Sequence, residues 1–165
     1  MLFRSVDDPW ITDAFRALVE PWTAKSNGRA ESVIVEGGPE AVLDALGLAS
    51  ARLAPLDAGD ALDWLVWCGA SGGAHGRRRG SASGRFSAWW LLAALGGITE
   101  DWDDLRDSGD LASELSSFLL ESTWWRFDDG SGSSAYELSL VVEVAENDES
   151  ATPLGVALLA RDHPG

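Results

Sequence analysis

The chain has 165 residues, with 27 Asp and Glu against 12 Lys and Arg, and its net charge is −15. This length predicts one globular domain over residues 1–165, and the negative charge excludes general binding to nucleic acids and anionic membranes, because their phosphates would be repelled. The single cysteine excludes an internal disulfide framework and a zinc site built from several cysteines.

The first half of the chain is predicted to contain short helices and short strands. Asp8 followed by Pro9 is typical of a helix start, since Asp accepts from early backbone N–H groups and Pro fits the first helical position. Pro21 is expected to end this helix, because proline lacks a backbone donor. The predicted elements are a helix over 9–20, a loop over 21–30, a strand over 32–35, a helix over 39–46 and a second strand within 48–55.

A helical hairpin is predicted for the middle of the chain. Its parts are a helix over 58–70 capped by Asp57, the segment SGGAHGRRRG over 71–80, and a longer helix that ends at about Leu95. Gly80, Gly84 and Ala88 lie four residues apart on the second helix. This spacing predicts a smooth stripe where another backbone approaches closely.

The C-terminal third is predicted to be a β-meander. An acidic loop over 100–110 and a helix over 111–119 lead into three strand-like runs, at 123–127, 136–145 and 154–160, separated by turn signals. The adjacent Trp124 and Trp125 are expected to point to opposite faces of their strand. The order of elements predicts an α+β fold in which the helical hairpin and the N-terminal helices pack on a C-terminal antiparallel β-meander.

The compartment expected from the sequence is the cytoplasm. The first residues lack the apolar core of a signal peptide, and the longest apolar stretch, 88–95, falls far short of the roughly 20 residues that span a bilayer. We expect no membrane association.

Charge is distributed unevenly along the chain. The 36 residues from Trp64 to Thr99 contain no Asp or Glu, whereas a proportional share would be about six of the 27 acids. The same span, called here the basic island, holds Arg77, Arg78, Arg79 and Arg85. The island therefore carries +4 and the rest of the chain −19.

The basic island predicts a site that recognises an anion. Glycines allow tight turns that expose backbone N–H groups, and arginine forks match the oxygens of phosphate and carboxylate. Histidine can donate a hydrogen bond or a proton, and tryptophan can stack on a guanidinium or on a flat ligand. If 78–85 is helical, Arg78 and Arg85 share a face. The candidate ligand-binding residues are Gly72, Gly73, His75, Gly76, Arg77, Arg78, Arg79, Arg85 and Trp89.

The segment 71–80 matches no established phosphate-binding motif. The P-loop pattern GxxxxGK[ST] is absent, and so is GxGxxG. The alternative is that these arginines pair with the acids of 100–110, which would make the segment an internal electrostatic clamp.

The block SGGAHGRRRG…GRF…WW over 71–90 resembles a stretch found in an uncharacterised, chiefly actinobacterial protein family of unknown function. The resemblance implies a cytoplasmic bacterial protein. It implies no activity and no catalytic residues.

Metal and catalytic motifs give weaker signals. Cys68, His75 and His163 do not follow a zinc spacing, and the acidic segment 100–110 fails the calcium-loop pattern at Leu105, so we expect no metal and no cofactor. Ser71 and Ser83 flank the basic island and His75 could act as their base, but no third orienting group is evident.

Three hypotheses about function remain open. The first is a binding module for a small anionic ligand. The second is an acidic interaction module, similar to an immunity protein or an antitoxin, that covers a basic protein partner through 100–110 or 143–149. The third is an enzyme that uses His75 as general acid or base.

Overall fold

An antiparallel sheet organises the computed structural model, which describes residues 4–131, 136–144 and 152–162. The strands in this part of the chain are β1 (Arg4–Ser5), β2 (Arg29–Glu36), β3 (Arg52–Leu56), β4 (Thr123–Asp128), β5 (Tyr136–Val144) and β6 (Leu154–Asp162). The helices are α1 (Pro9–Leu18), α2 (Glu20–Ala24), α3 (Pro39–Ala45), α4 (Ala58–Ala70), α5 (Ser81–Leu95), α6 (Trp102–Ser108) and α7 (Leu111–Glu121).

The six described strands are ordered β1-β2-β6-β5-β4-β3, and every neighbouring pair is antiparallel. The predicted α+β class and the predicted meander of β4, β5 and β6 are confirmed. The two strands predicted in the first half of the chain, β2 and β3, flank this meander on either side. Strand β6, buried on both faces, lies at the centre of the sheet.

The two faces of the sheet carry separate apolar cores. The larger core is formed by side chains of α1, α4, α5 and α7 together with the sheet face that includes Trp124 and Leu158. On the opposite face, α3 packs over Val141 and Leu159, with Trp125 at the edge. The two adjacent tryptophans therefore point to opposite faces, as predicted, and α3 lies apart from the other helices.

Helices α4 and α5 form the predicted hairpin, and glycines set how closely they pack. A Cβ on Gly84 would lie 2.4 Å from the Val66 carbonyl oxygen, and a Cβ on Gly69 would lie 3.0 Å from Gly84 Cα. Only a residue without a side chain permits this contact at Gly84. The next member of the predicted stripe, Ala88, is fully buried.

Two predicted loops contain helices instead. Pro21 does not end helical structure but lies in the first turn of α2, where its missing N–H has no helical partner to lose. The predicted acidic loop over 100–110 contains α6. Asp103 and Asp104 lie in the first turn of that helix, where the helix dipole favours negative charge, and Gly109 ends it with φ +84°.

Candidate functional site

The segment 71–80, called here the glycine loop, connects α4 to α5 and folds tightly upon itself. A Cβ on Gly72 would lie 2.3 Å from the Gly76 carbonyl oxygen, and a Cβ on Gly76 would lie 2.1 Å from the Gly72 carbonyl oxygen. Gly73 adopts φ +70°, the left-handed region that glycine tolerates best. These glycines are therefore required by the shape of the loop itself.

Buried and neighbouring side chains anchor the glycine loop to the rest of the fold. The backbone N–H of Ala74 donates to Asp162 Oδ2 at 2.6 Å, and the carboxylate of Asp162, at the end of β6, is fully buried. The N–H of His75 donates to Ser26 Oγ at 3.0 Å. Two backbone donors of the loop thus bind groups of this chain.

Arg79 binds the ends of two helices. Its Nε donates to the Gly69 carbonyl at 3.0 Å, its Nη1 to the Ala17 carbonyl at 3.1 Å, and its Nη2 to the Leu18 carbonyl. These carbonyls lie in the last turns of α1 and α4, where a cation offsets the negative end of the helix dipole. Burial lowers the pKa of Arg79, an effect that nearby Glu20 opposes. All three nitrogens of this guanidinium therefore donate to backbone carbonyls of the fold.

The alternative clamp between the basic island and the acids of 100–110 does not occur in the described part of the chain. No salt bridge there joins Arg77, Arg78 or Arg85 to a carboxylate, and the partners of Arg79 are backbone carbonyls. Arg106, within 100–110, pairs with acids of that same segment instead. Because all three arginines are exposed, water can satisfy their donors.

The expectation that Arg78 and Arg85 share a helical face is wrong. Helix α5 begins at Ser81, so Arg78 belongs to the glycine loop while Arg85 lies on the helix. The backbone turns at Gly80, whose φ is +89°, and this turn separates the two arginines. The sequence spacing of seven residues had meaning only for a continuous helix.

A cleft of about 300 Å³ opens beside the glycine loop. Its lining combines aromatic rings with the polar groups of the loop, and consists of Trp67, Ala70, Ser71, Gly72, Gly73, Arg78 and Tyr136. Three of the predicted site residues, Gly72, Gly73 and Arg78, therefore meet here. His75, Gly76, Arg77, Arg79, Arg85 and Trp89 do not line this cleft.

Two aromatic residues, Trp67 and Tyr136, form one wall of this cleft, called here the aromatic cleft, and Trp22 packs behind them. The rings of Trp67 and Tyr136 are nearly parallel, with an interplanar angle of 14° and centroids 6.3 Å apart. The fully buried Trp22 packs edge-on against both rings, at 5.6 Å and 6.2 Å. Among the described residues, Trp22 Nε1 has no hydrogen-bond partner. The packing of Trp22 holds Trp67, which is 41% exposed, at the cleft surface.

The candidate catalytic groups His75, Ser71 and Ser83 make no hydrogen bond to one another among the described residues. His75 is exposed, and only its backbone N–H, not its ring, makes a hydrogen bond there. Ser71 Oγ accepts from the Gly73 N–H at 3.0 Å, and Ser83 lies exposed on α5.

A metal site is not formed by the described residues, among which no three His, Cys, Asp or Glu side chains come together. Cys68 is fully buried in the larger core, and burial raises the pKa of its thiol. His163 lies outside the described residues, as does most of the segment 143–149. No helix in the described ranges has the length and apolarity that a bilayer crossing requires.

Sequence reasoning missed the aromatic wall and a second, larger cleft. Trp67 and Tyr136 are 69 positions apart, and only the packing of α4 on β5 brings them together. The larger cleft, of about 690 Å³, lies over the β3–β4 edge of the sheet beside Trp64, Arg52 and Arg126. The signal available for Trp67 was its place one turn before the glycine loop. The second cleft had no signal in the sequence, because it is created by the pairing of strands that are distant along the chain.

The comparison with known families finds a family of unknown function, which is consistent with the resemblance. A family of unknown function (DUF6183) matches residues 2–147. The chain belongs to this family. The match extends far beyond the block 71–90 that carried the resemblance, and it includes the glycine loop and α4 to α7 of this DUF6183 protein. No curated protein and no solved structure matches the chain.

Proposed function

We propose that this DUF6183 protein binds a small ligand that carries both an anionic group and a flat ring, in the aromatic cleft beside the glycine loop. The observation that carries the proposal is the meeting of Arg78 with the stacked rings of Trp67 and Tyr136 in one cleft. The anion is a phosphate or a carboxylate, since both match the arginine fork.

Arg78 is the cation available for this role. It is exposed, and no carboxylate of the described residues pairs with it. Arg79, its neighbour, already neutralises the helix ends behind the loop, so the negative end of α4 does not repel an incoming anion. The hydroxyl of Ser71, whose oxygen accepts from Gly73, is a second donor on the lining.

The aromatic wall selects for a flat ring. A ring stacked on Trp67 buries apolar surface that is otherwise 41% exposed, and stacking on an aromatic side chain is worth about 1–3 kcal/mol. Buried Trp22 supports the wall from behind, so little side-chain entropy is lost on binding. The volume of about 300 Å³ is at the lower end for ligand sites, which favours a small ligand.

The test is a thermal-shift and calorimetry screen with matched probes at low ionic strength. AMP and benzoate carry a ring and an anion, adenosine and benzamide carry the ring alone, and inorganic phosphate and acetate carry the anion alone. Arg78→Ala is compared with Arg85→Ala, an exposed arginine of the same basic island that lies outside the cleft.

We expect stabilisation by AMP or benzoate that exceeds that of either partial probe, and a loss of about tenfold in affinity in Arg78→Ala, which corresponds to about 1.4 kcal/mol. Trp67→Ala should weaken binding similarly, while Arg85→Ala should leave it unchanged. Equal loss in the two arginine variants would show that only net charge matters, and no binding by any ring-bearing anion would contradict the proposal.

A further inference from the structure

A second aromatic cluster lies on the surface, away from the aromatic cleft and built from different residues. Trp10 of α1, Phe86 and Trp90 of α5 and Trp102 of α6 contact one another, with Trp90 at the centre. Trp90 stacks on Phe86 at 6.4 Å and meets Trp102 edge-on at 5.1 Å. This cluster is called here the aromatic patch.

The aromatic patch leaves much of its apolar surface in water. Phe86 is 60% exposed and Trp10 is 50% exposed. They are two of the four large apolar residues that are exposed among the described residues. Aromatic side chains gathered on a surface are the residue types that dominate binding energy at protein interfaces. Because the rings pack against one another, binding a partner would cost little side-chain entropy.

Acidic residues outnumber basic ones in the segments that carry the aromatic patch, although the exposed Arg85 adjoins Phe86. The segments that carry it, 7–16, 85–90 and 100–107, hold eight acids against three arginines, a net charge of −5. Two of the arginines, Arg16 and Arg106, are paired with acids of their own helices. The acids that are exposed and make no salt bridge within the described residues include Asp7, Glu100, Asp101 and Asp104.

We propose that the aromatic patch is a docking surface for a basic segment of another protein, in which apolar side chains cover Phe86 and Trp10 while Arg or Lys side chains face the acids. Charge complementarity decides the occupant. A second copy would bring the same acids to a two-fold interface, where like charges oppose one another. An anionic membrane would be repelled in the same way. This inference does not depend on the aromatic cleft.

The test measures binding of a fluorescently labelled peptide with an Arg-Leu repeat by anisotropy, at low and at high salt. A Glu-Leu peptide removes the charge complementarity, and an Arg-Gly peptide removes the apolar contact. Phe86→Ala and Trp10→Ala probe the patch, with Leu120→Ala as the matched control, since Leu120 is 73% exposed on α7. Asp101→Asn with Asp104→Asn probes the acids, with Asp60→Asn and Asp63→Asn on α4 as control.

We expect the Arg-Leu peptide to bind most tightly, to lose about tenfold in affinity in each patch variant, and to become less salt-sensitive when Asp101 and Asp104 are neutralised. The control variants should bind as the wild type does. The proposal is overturned if the Glu-Leu peptide binds equally well or if the control variants lose as much. It is also overturned if sedimentation shows a dimer that Phe86→Ala dissociates, or if zwitterionic vesicles bind the wild type and not Phe86→Ala.

Discussion

Replacing Arg79 by alanine removes a cation that joins two helix ends. Its guanidinium donates to the carbonyls of Ala17 and Leu18 at the end of α1 and of Gly69 near the end of α4. The bonds to Leu18 and Gly69 are partly buried, and the bond to Ala17 is exposed, so water can replace only the last one readily. A hydrogen bond to a charged group contributes about 1.5–3 kcal/mol. Because the two bonds are only partly buried, the lower end of this range applies, which gives a loss of about 3 kcal/mol for the pair.

The assay is urea unfolding followed by tryptophan fluorescence, with Arg79→Lys and Arg77→Ala alongside. Lysine keeps the charge but cannot span three carbonyls with a planar fork, so it should recover only part of the loss. Arg77 is exposed and makes no hydrogen bond within the described residues, so its removal should change the free energy of unfolding by less than about 0.5 kcal/mol. For a chain of this size, a loss of 3 kcal/mol lowers Tm by roughly 6–12 °C.

The comparison distinguishes a structural arginine from a ligand-binding one. If Arg79→Ala and Arg77→Ala unfold at the same urea concentration, the helix-end contacts contribute nothing and the assignment of Arg79 to the fold is refuted. If only Arg79→Ala is destabilised, the basic island contains one arginine that holds the fold and others that are free for a ligand.

Three further predictions concern the core and the sheet. Gly84→Ala should lower the free energy of unfolding in urea by about 2–3 kcal/mol, because its Cβ would lie 2.4 Å from a carbonyl oxygen of α4. Ser83→Ala, at an exposed position next to it, should be nearly neutral. Equal effects of the two substitutions would contradict the close packing. Hydrogen bonding from Arg161 holds the pKa of Asp129 well below its usual range. The ion pair therefore contributes its full stability above about pH 4 and loses it as the pH falls further. Asp129→Asn should be about 1–2 kcal/mol less stable than the wild type at pH 7, and this difference should shrink in acid. A difference that does not change with pH would contradict the role of this ion pair. Cys68 should react with DTNB only through unfolding, because burial raises the pKa of its thiol, and rapid reaction in native buffer would show that the core is open.

Elements whose signals are local could be predicted from the sequence. Asp57 caps α4 through a hydrogen bond to the Gly59 N–H, as its position implied, and the alternating strands of the meander formed as their pattern indicated. Of the stripe predicted from glycine spacing, Gly84 makes the close helix contact and Ala88 is buried. The third member, Gly80, lies at the N-cap of α5, and a Cβ there would meet no atom within 4 Å, so this part of the prediction is wrong. The 100–110 segment was misread because its acids, which suggested a solvated loop, also favour the first turn of a helix.

The sequence points to the glycine loop as a candidate site, but the residues that line the cleft beside it could not be predicted from the sequence. The charge asymmetry pointed to the glycine loop, and Arg78 does line a cleft there. Arg79 and Arg78 are identical in type and adjacent, so nothing local shows that one binds helix ends and the other faces solvent. Tyr136 joins the cleft through the packing of β5 against α4, a contact with no sequence signature.

The most direct test of the account is a titration of the ¹⁵N-labelled protein with AMP and with benzoate, followed through its nine tryptophan indole N–H signals. Assignment by single Trp→Phe variants identifies each signal. We expect the signals of Trp67 and of its neighbour Trp22 to shift with ligand. The signals of the aromatic patch should stay in place; these are Trp10, Trp90 and Trp102. Unchanged signals throughout, or shifts confined to the aromatic patch, would contradict an anion site in the aromatic cleft.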